Sequence, residues 1–222
     1  MKPPFLKNEP GDNIFTKILR EGADKGILNQ ATSEARKWYM DRAKGVPMVD
    51  ENKLMSSDPT RFRQIIVPGR MYLFAYDPKH KKTLPYYDTL PLIFPISMGN
   101  SYFLGLNLHY LPLNYRAKLM DALYSLLNNK KFDESTKVQL SYKILKSVQE
   151  LRYYKPCIKK YLKIHVRSRF VSIGANEWSI AMALPLARFE KQPVTRVYSD
   201  SVNMINYGKT NTLPNLKPRK PT

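Results

Sequence analysis

The chain has 222 residues, 43% of them hydrophobic and 12% aromatic, which is enough apolar surface to bury a core and excludes a chain disordered throughout. Thirty-seven Lys and Arg against eighteen Asp and Glu give a formal charge of +19, a field suited to nucleic acid or another polyanion. The lone Cys157 excludes an intrachain disulfide, no apolar run of about eighteen residues offers a membrane span, and MKPPFLKNEPGDN lacks the apolar core of a secretory signal, so the cytosol is the expected place of synthesis.

Residues 1 to 13 hold three prolines and a Gly-Asp-Asn turn and read as extended. Ile14, Ile18, Leu19, Ala23, Ile27 and Leu28 then suit an amphipathic helix, weakened by Gly22 and Gly26. Thr32 to Lys44 carries Ala35, Trp38, Tyr39 and Ala43 on one helical face, and Gly45 to Pro59 has the composition of a linker. Residues 1–58 are therefore expected to form an arm that either docks on another chain or packs back on its own domain.

A compact core is expected over 59–200, β-rich in 62–111 and mostly helical in 112–200. Ile65 to Val67, Arg70 to Tyr76, Leu90 to Ile96 and Ser101 to Tyr110 have strand composition, with Met98-Gly99-Asn100 as a turn. Pro91 and Pro95 make the third of these an edge strand or an interrupted one. Apolar bands from Ala117 to Leu127 and from Val138 to Leu151 predict two helices, the second restarting at Pro156 and continuing as a basic helix. Residues 201–222 read as a basic, flexible tail with Lys209, Lys217, Arg219 and Lys220. The fold class expected is α+β: a helical N-terminal arm, a small antiparallel β-sheet or partial barrel, then an α-helical C-terminal half containing the basic helix.

That basic element, LRYYKPCIKKYLKIHVRSRF from Leu151 to Phe170, is the strongest functional signal. Arg152, Lys155, Lys159, Lys160, Lys163, Arg167 and Arg169 fall within it, and no acid occurs between Glu150 and Glu177. Residues 112–222 carry 21 basic and 7 acidic groups, against 16 and 11 in residues 1–111. Like charges at Lys155, Lys159 and Lys163, one helical turn apart, would cost about 0.2 to 0.5 kcal/mol per pair, a cost that a bound polyanion removes. The alternative is a solvated face whose tyrosines turn inward. A second cationic stretch, Asp77-Pro78-Lys79-His80-Lys81-Lys82, precedes Tyr86 and Tyr87, and cations beside rings suit DNA ends or single strands. Those lysines would equally keep a sheet edge from pairing.

Catalysis has no address in the sequence. His80, His109 and His165 lie in different elements without metal-ligand spacing, and neither a phosphate-cradling glycine loop nor a nucleophile elbow occurs. No catalytic residue, metal or cofactor is expected. The remaining enzymatic alternative is a nuclease in which Asp77 and Asp88 hold Mg²⁺ beside Lys79, Lys81 and Lys82. Cys157 reads as a small core residue.

PGRMYLFAYDPKHKKTLPYYDTLPLIFPI from Pro68, FLGLNLHYLPLNYRAKLMDAL from Phe103, YYKPCIKKYLKIHVRSRF from Tyr153, and the segment from Trp178 to Phe189 together resemble a family of virion proteins of T-even-like tailed phages and their marine relatives, the DNA end protectors. The similarity covers roughly residues 62 to 200. It implies a non-enzymatic protein carried in the particle, present in the host cytoplasm during assembly and after injection. There it would bind the ends of the linear double-stranded genome and shield them from host exonuclease, with other virion proteins as further partners and no membrane. The resemblance brings no functional residues with it, so the candidate DNA-binding set rests on charge and rings alone. A structural head, neck, tail or baseplate component is the alternative.

Overall fold

The fold is built on an antiparallel sheet of six strands drawn from both halves of the chain. In the computed structural model of the protein, residues 13–27, 32–47, 49–56, 58–127, 131–151 and 153–207 are described. The sheet strands are β1 (Phe62–Arg63), β2 (Met71–Leu73), β4 (Leu92–Met98), β5 (Tyr102–Asn107), β6 (Ile158–Leu162) and β7 (Phe170–Ile173), in spatial order β1-β7-β2-β4-β5-β6. A separate ribbon pairs β3 (Tyr87–Asp88) with β8 (Phe189–Glu190). The helices are α1 (Ile14–Asp24), α2 (Ser33–Lys44), α3 (Glu51–Ser56), α4 (Leu113–Leu127), α5 (Glu134–Glu150), α6 (Trp178–Ala183) and α7 (Val194–Tyr207). The α+β class expected from the sequence is the class observed.

Side-chain alternation gives the sheet two different faces. Met71, Leu73, Leu92, Phe94 and Val171 turn toward the helices and join the main core with Leu123, Leu145 and Trp178. The other face carries rings: Phe74 lies 5.0 Å from Phe170, 5.4 Å from Tyr161 and 5.8 Å from Phe103, centroid to centroid, all edge to face. Residues 163–169 cross this face on their way from β6 to β7. They are tied down by Asp77 N–H donating to the His165 carbonyl at 3.0 Å and Arg167 N–H donating to that of Ala75 at 2.8 Å. The result is a curled, open sheet with a second small core under the crossing segment.

Several expectations change. The basic stretch is not a helix: Lys155–Cys157 and Lys163–His165 are 3₁₀ turns, and β6 between them is the edge strand, paired with β5. Pro156 lacks a helical N–H, and of the lysine row that a helix would stack one turn apart only Lys159 lies in the strand, with Lys155 and Lys163 in the 3₁₀ turns that flank it. Residues 112–200 remain mostly helical, although they also contribute β6, β7 and β8. β4 is interior rather than an edge, so the other reading of its prolines holds: the strand is interrupted, by a register shift between Pro95 and Ser97. Helix α7 runs through Tyr207, with Ser201 and Ile205 buried, so the first part of the expected tail is ordered helix. Lys209, Lys217, Arg219 and Lys220 lie outside the described residues, as does Arg152.

Of the two arrangements open to the N-terminal segment, the structure shows helices packed on their own domain. Asn13 caps α1 by accepting from Thr16 N–H at 2.9 Å, and Thr32 caps α2 by accepting from Ala35 N–H at 3.1 Å. Phe15, Ile18, Tyr39 and Ala43 are buried in the main core. Gly22 lets the helices approach: Tyr39 sits where a side chain at Gly22 would be, and its hydroxyl donates to the Ile27 carbonyl at 2.7 Å. No helix among the described residues is long and apolar enough to cross a membrane.

Candidate nucleic-acid interface

As the edge strand, β6 sends consecutive lysines to opposite sides, each over a tyrosine. The Lys159 ammonium lies 4.0 Å from the Tyr110 ring centroid and that of Lys160 lies 4.2 Å from Tyr102. Lys160 is exposed and Lys159 half-buried. Burial pulls the Lys159 pKa down, and among the described residues no hydrogen bond or carboxylate holds its ammonium.

The structure brings five of the candidate residues into one cleft of about 510 Å³, lined by Lys79, Tyr86, Tyr87, Lys159 and Lys160. Their order in the chain hides this, because the β3/β8 ribbon is needed to set Tyr87 beside β6, through Tyr87 pairing with Glu190. Tyr86 rests against Tyr110 and Phe189, with ring centroids 6.0 and 6.4 Å away, and burial, then the nearby Asp200 charge, pushes its phenol up to about 12. It is more wall than free stacking surface. Lys191 pins the rim from below, donating to the carbonyls of Lys82 at 3.1 Å and Leu84 at 2.8 Å. Lys81 and Lys82 are exposed on the rim outside the lining, and Lys81 pairs with Asp77 at 2.9 Å.

A second cleft, of about 600 Å³, collects Lys163, Arg167 and Arg169 with Arg63 from β1, beside the apolar Ile65 and Met98. Arg63 was not legible as a site residue: it stands alone in sequence and reaches this cleft only because β1 pairs with β7, opposite Phe170. Lys155 is exposed in its 3₁₀ turn and lines neither cleft. The cationic segment from Lys159 to Arg169 thus runs without interruption from one cleft into the other.

The two carboxylates weighed as metal ligands are engaged separately. Asp88 is buried and accepts from Asn107 Nδ2 at 3.0 Å, Leu90 N–H at 3.1 Å and Arg188 N–H at 3.4 Å, with His109 Nδ1 2.8 Å away. Asp77, at the surface, pairs with Lys81 and Arg167. Behind Asp88, the buried Arg116 donates to the carbonyls of Leu111 at 2.6 Å and Met182 at 2.8 Å, and also to the Tyr198 hydroxyl. This network fixes the floor of the first cleft. Cys157 is fully buried, and burial pushes its thiol up to about 11, as suits a core residue.

A family profile described as the phage T4 terminal DNA protecting protein matches residues 18–204. The chain belongs to that family. The match begins inside α1 and ends inside α7, so it takes in the sheet, both clefts and the cationic segment between them. Membership makes this a phage protein of a family that protects DNA ends. Among curated proteins and among solved structures, no match is found.

Proposed function

We propose that the protein binds the ends of linear double-stranded DNA and shields them from exonuclease without performing chemistry on them. The observation that carries this reading is the cationic track that starts on edge strand β6 and follows the crossing segment over the sheet: Lys79, Lys159 and Lys160 at one cleft, then Lys163, Arg167, Arg169 and Arg63 at the other. Phosphates on a duplex present about one charge per 1.7 Å of axis, so such a track can neutralise several at once. Charge alone would coat DNA along its length. Rings at one end of the track offer what coating does not need, a surface for bases exposed at a terminus. Family membership supports the same reading; on it, the protein is carried in the virion with the packaged genome and other virion proteins, and is present in the host cytoplasm during assembly and after injection.

The test is competition binding. A labelled linear duplex is displaced by unlabelled linear DNA or by a covalently closed circle of the same sequence, at several salt concentrations. End binding requires that the linear competitor win, and the log–log salt slope should approach about −0.9 per phosphate contacted. Changing Lys160, Lys163, Arg167 and Arg169 together to Ala should reduce the slope by up to about 0.9 per residue. Equal displacement by circle and line would leave general DNA binding and remove the end-specific reading.

A further inference from the structure

We infer that the cleft beside β6 is a pocket for one unpaired nucleotide at the end of a strand, with its phosphate on the Lys159 ammonium and its base against the cleft tyrosines. The inference rests on the end-binding reading and adds what the protein recognises there: a phosphorylated strand terminus that is frayed or overhanging.

Three observations carry it. Size comes first. About 510 Å³ falls in the range of roughly 300 to 1,000 Å³ in which sites enclose a single small molecule, far short of what a duplex end occupies. The second is Lys159. Its ammonium is half-buried and fixed over Tyr110, and it lacks an anionic partner among the described residues. A desolvated cation without a counter-ion is costly, so an anion delivered into the cleft is favoured there more than at an exposed lysine. Lys79 on the facing loop adds to the field. The third is the lining: Tyr87, Leu84 and Pro85 give an apolar wall opposite Tyr161, which suits the faces of a base and is indifferent to which base it is.

The carboxylates nearby do not oppose this. Asp88 lines the cleft, but its oxygens are committed to Asn107, to the Leu90 and Arg188 backbone N–H groups and to His109. Asp200 lies against Tyr86 and is paired with Arg196 at 3.1 Å. Lys160 lines this cleft and Lys163 the second, so a strand entering here would leave its next phosphates near those two cations.

The experiment titrates the full chain with 2′-deoxyadenosine 5′-monophosphate, with deoxyadenosine and with inorganic phosphate, and follows backbone amide resonances of β6 and β3 by NMR. The monophosphate should saturate and shift both strands, with at least a tenfold weaker response from the nucleoside and from phosphate. Lys159→Gln should lose tenfold or more in monophosphate affinity and Lys159→Arg should keep most of it. Tyr87→Ala, at a half-buried position, serves as a second variant if Lys159→Gln perturbs the fold, and it should weaken the monophosphate but leave phosphate unchanged. Phosphate binding as well as the monophosphate would overturn the inference by showing an anion site without base recognition. No shift in either strand would overturn it too, while leaving end binding, scored by the preference for linear over circular DNA, untouched. Saturation by the monophosphate in a protein that does not prefer linear DNA would keep the pocket and sink the end-binding reading instead.

Discussion

Asp77 and Arg167, ninety positions apart in the chain, are joined by a 3.3 Å ion pair that ties the lysine-bearing loop to the segment crossing the sheet. The same carboxylate accepts from Lys81 at 2.9 Å, and those two cations, Lys81 first, hold its pKa below the usual 3.8. Asp77 therefore stays ionised at neutral pH and links the two cationic elements. Its charge opposes a polyanion; its geometry organises the cations that attract one.

Asp77→Asn separates these effects. The pair is exposed and salt-screened, so its contribution to stability is small. Removing a negative charge from the track should then tighten duplex binding severalfold at low salt, with little change in melting temperature. Weaker binding by the variant, measured by fluorescence anisotropy, would show that placement of Arg167 and Lys81 outweighs the charge removed.

Gly22 offers a test of how the N-terminal helices are held. Helix propensity alone favours Gly→Ala by about 1 kcal/mol. A β-carbon there would lie 2.1 Å from the Tyr39 hydroxyl oxygen, however, and that ring is buried and hydrogen-bonded to Ile27. Overpacking of this kind costs about 1 to 3 kcal/mol, so Gly22→Ala should be destabilising in urea denaturation. A stabilised variant would mean that α1 and α2 do not sit against each other as described.

Acid should loosen the same region. The hydrogen bond from Arg42 holds the Glu21 carboxyl below its ordinary 4.5, and the Thr60 hydroxyl, then Arg61, hold Asp58 below 3.8. Groups with lowered folded-state pKa values contribute stability that is complete above the unfolded values and is lost as pH falls through the folded ones. Melting temperature should therefore hold at neutral pH and fall once pH drops below 4.5. Glu21→Gln should make the fall below pH 4.5 shallower. An unchanged pH profile in that variant would remove Glu21 from the account.

Much of the fold was readable because local chemistry agreed with it. Aromatic and branched residues from Arg70 to Tyr110, broken by Met98-Gly99-Asn100, gave the β-rich segment, and Asn13 and Thr32 stand where helix caps belong. The basic stretch misled because a four-residue lysine repeat imitates a helix face. The rings and β-branched residues among those lysines, Tyr161 and Ile158 in particular, were the strand signal. What no local pattern carries is pairing: β7 inserts between β1 and β2 from about a hundred residues away, and that insertion brings Arg63 to Arg169. The candidate cleft was likewise half legible. Lys79, Tyr86 and Tyr87 were recognisable as cations beside rings, as were Lys159 and Lys160, but that they face one another depends on the β3/β8 ribbon. Tyr110, in its wall, carries no charge to mark it.

The claim at the centre of this account is protection of DNA ends by the cationic track that crosses the sheet, and an end-dependent exonuclease measures it directly. Linear duplex is incubated with the protein, or with a variant in which Lys160, Lys163, Arg167 and Arg169 are all Ala, then exposed to a processive exonuclease, and the surviving full-length DNA is followed over time. Protection by the parent at a ratio of a few molecules per DNA end, independent of DNA length and largely lost in the variant, is the expected result. Degradation at the unprotected rate at that ratio, or protection that requires enough protein to coat the whole duplex, would contradict it.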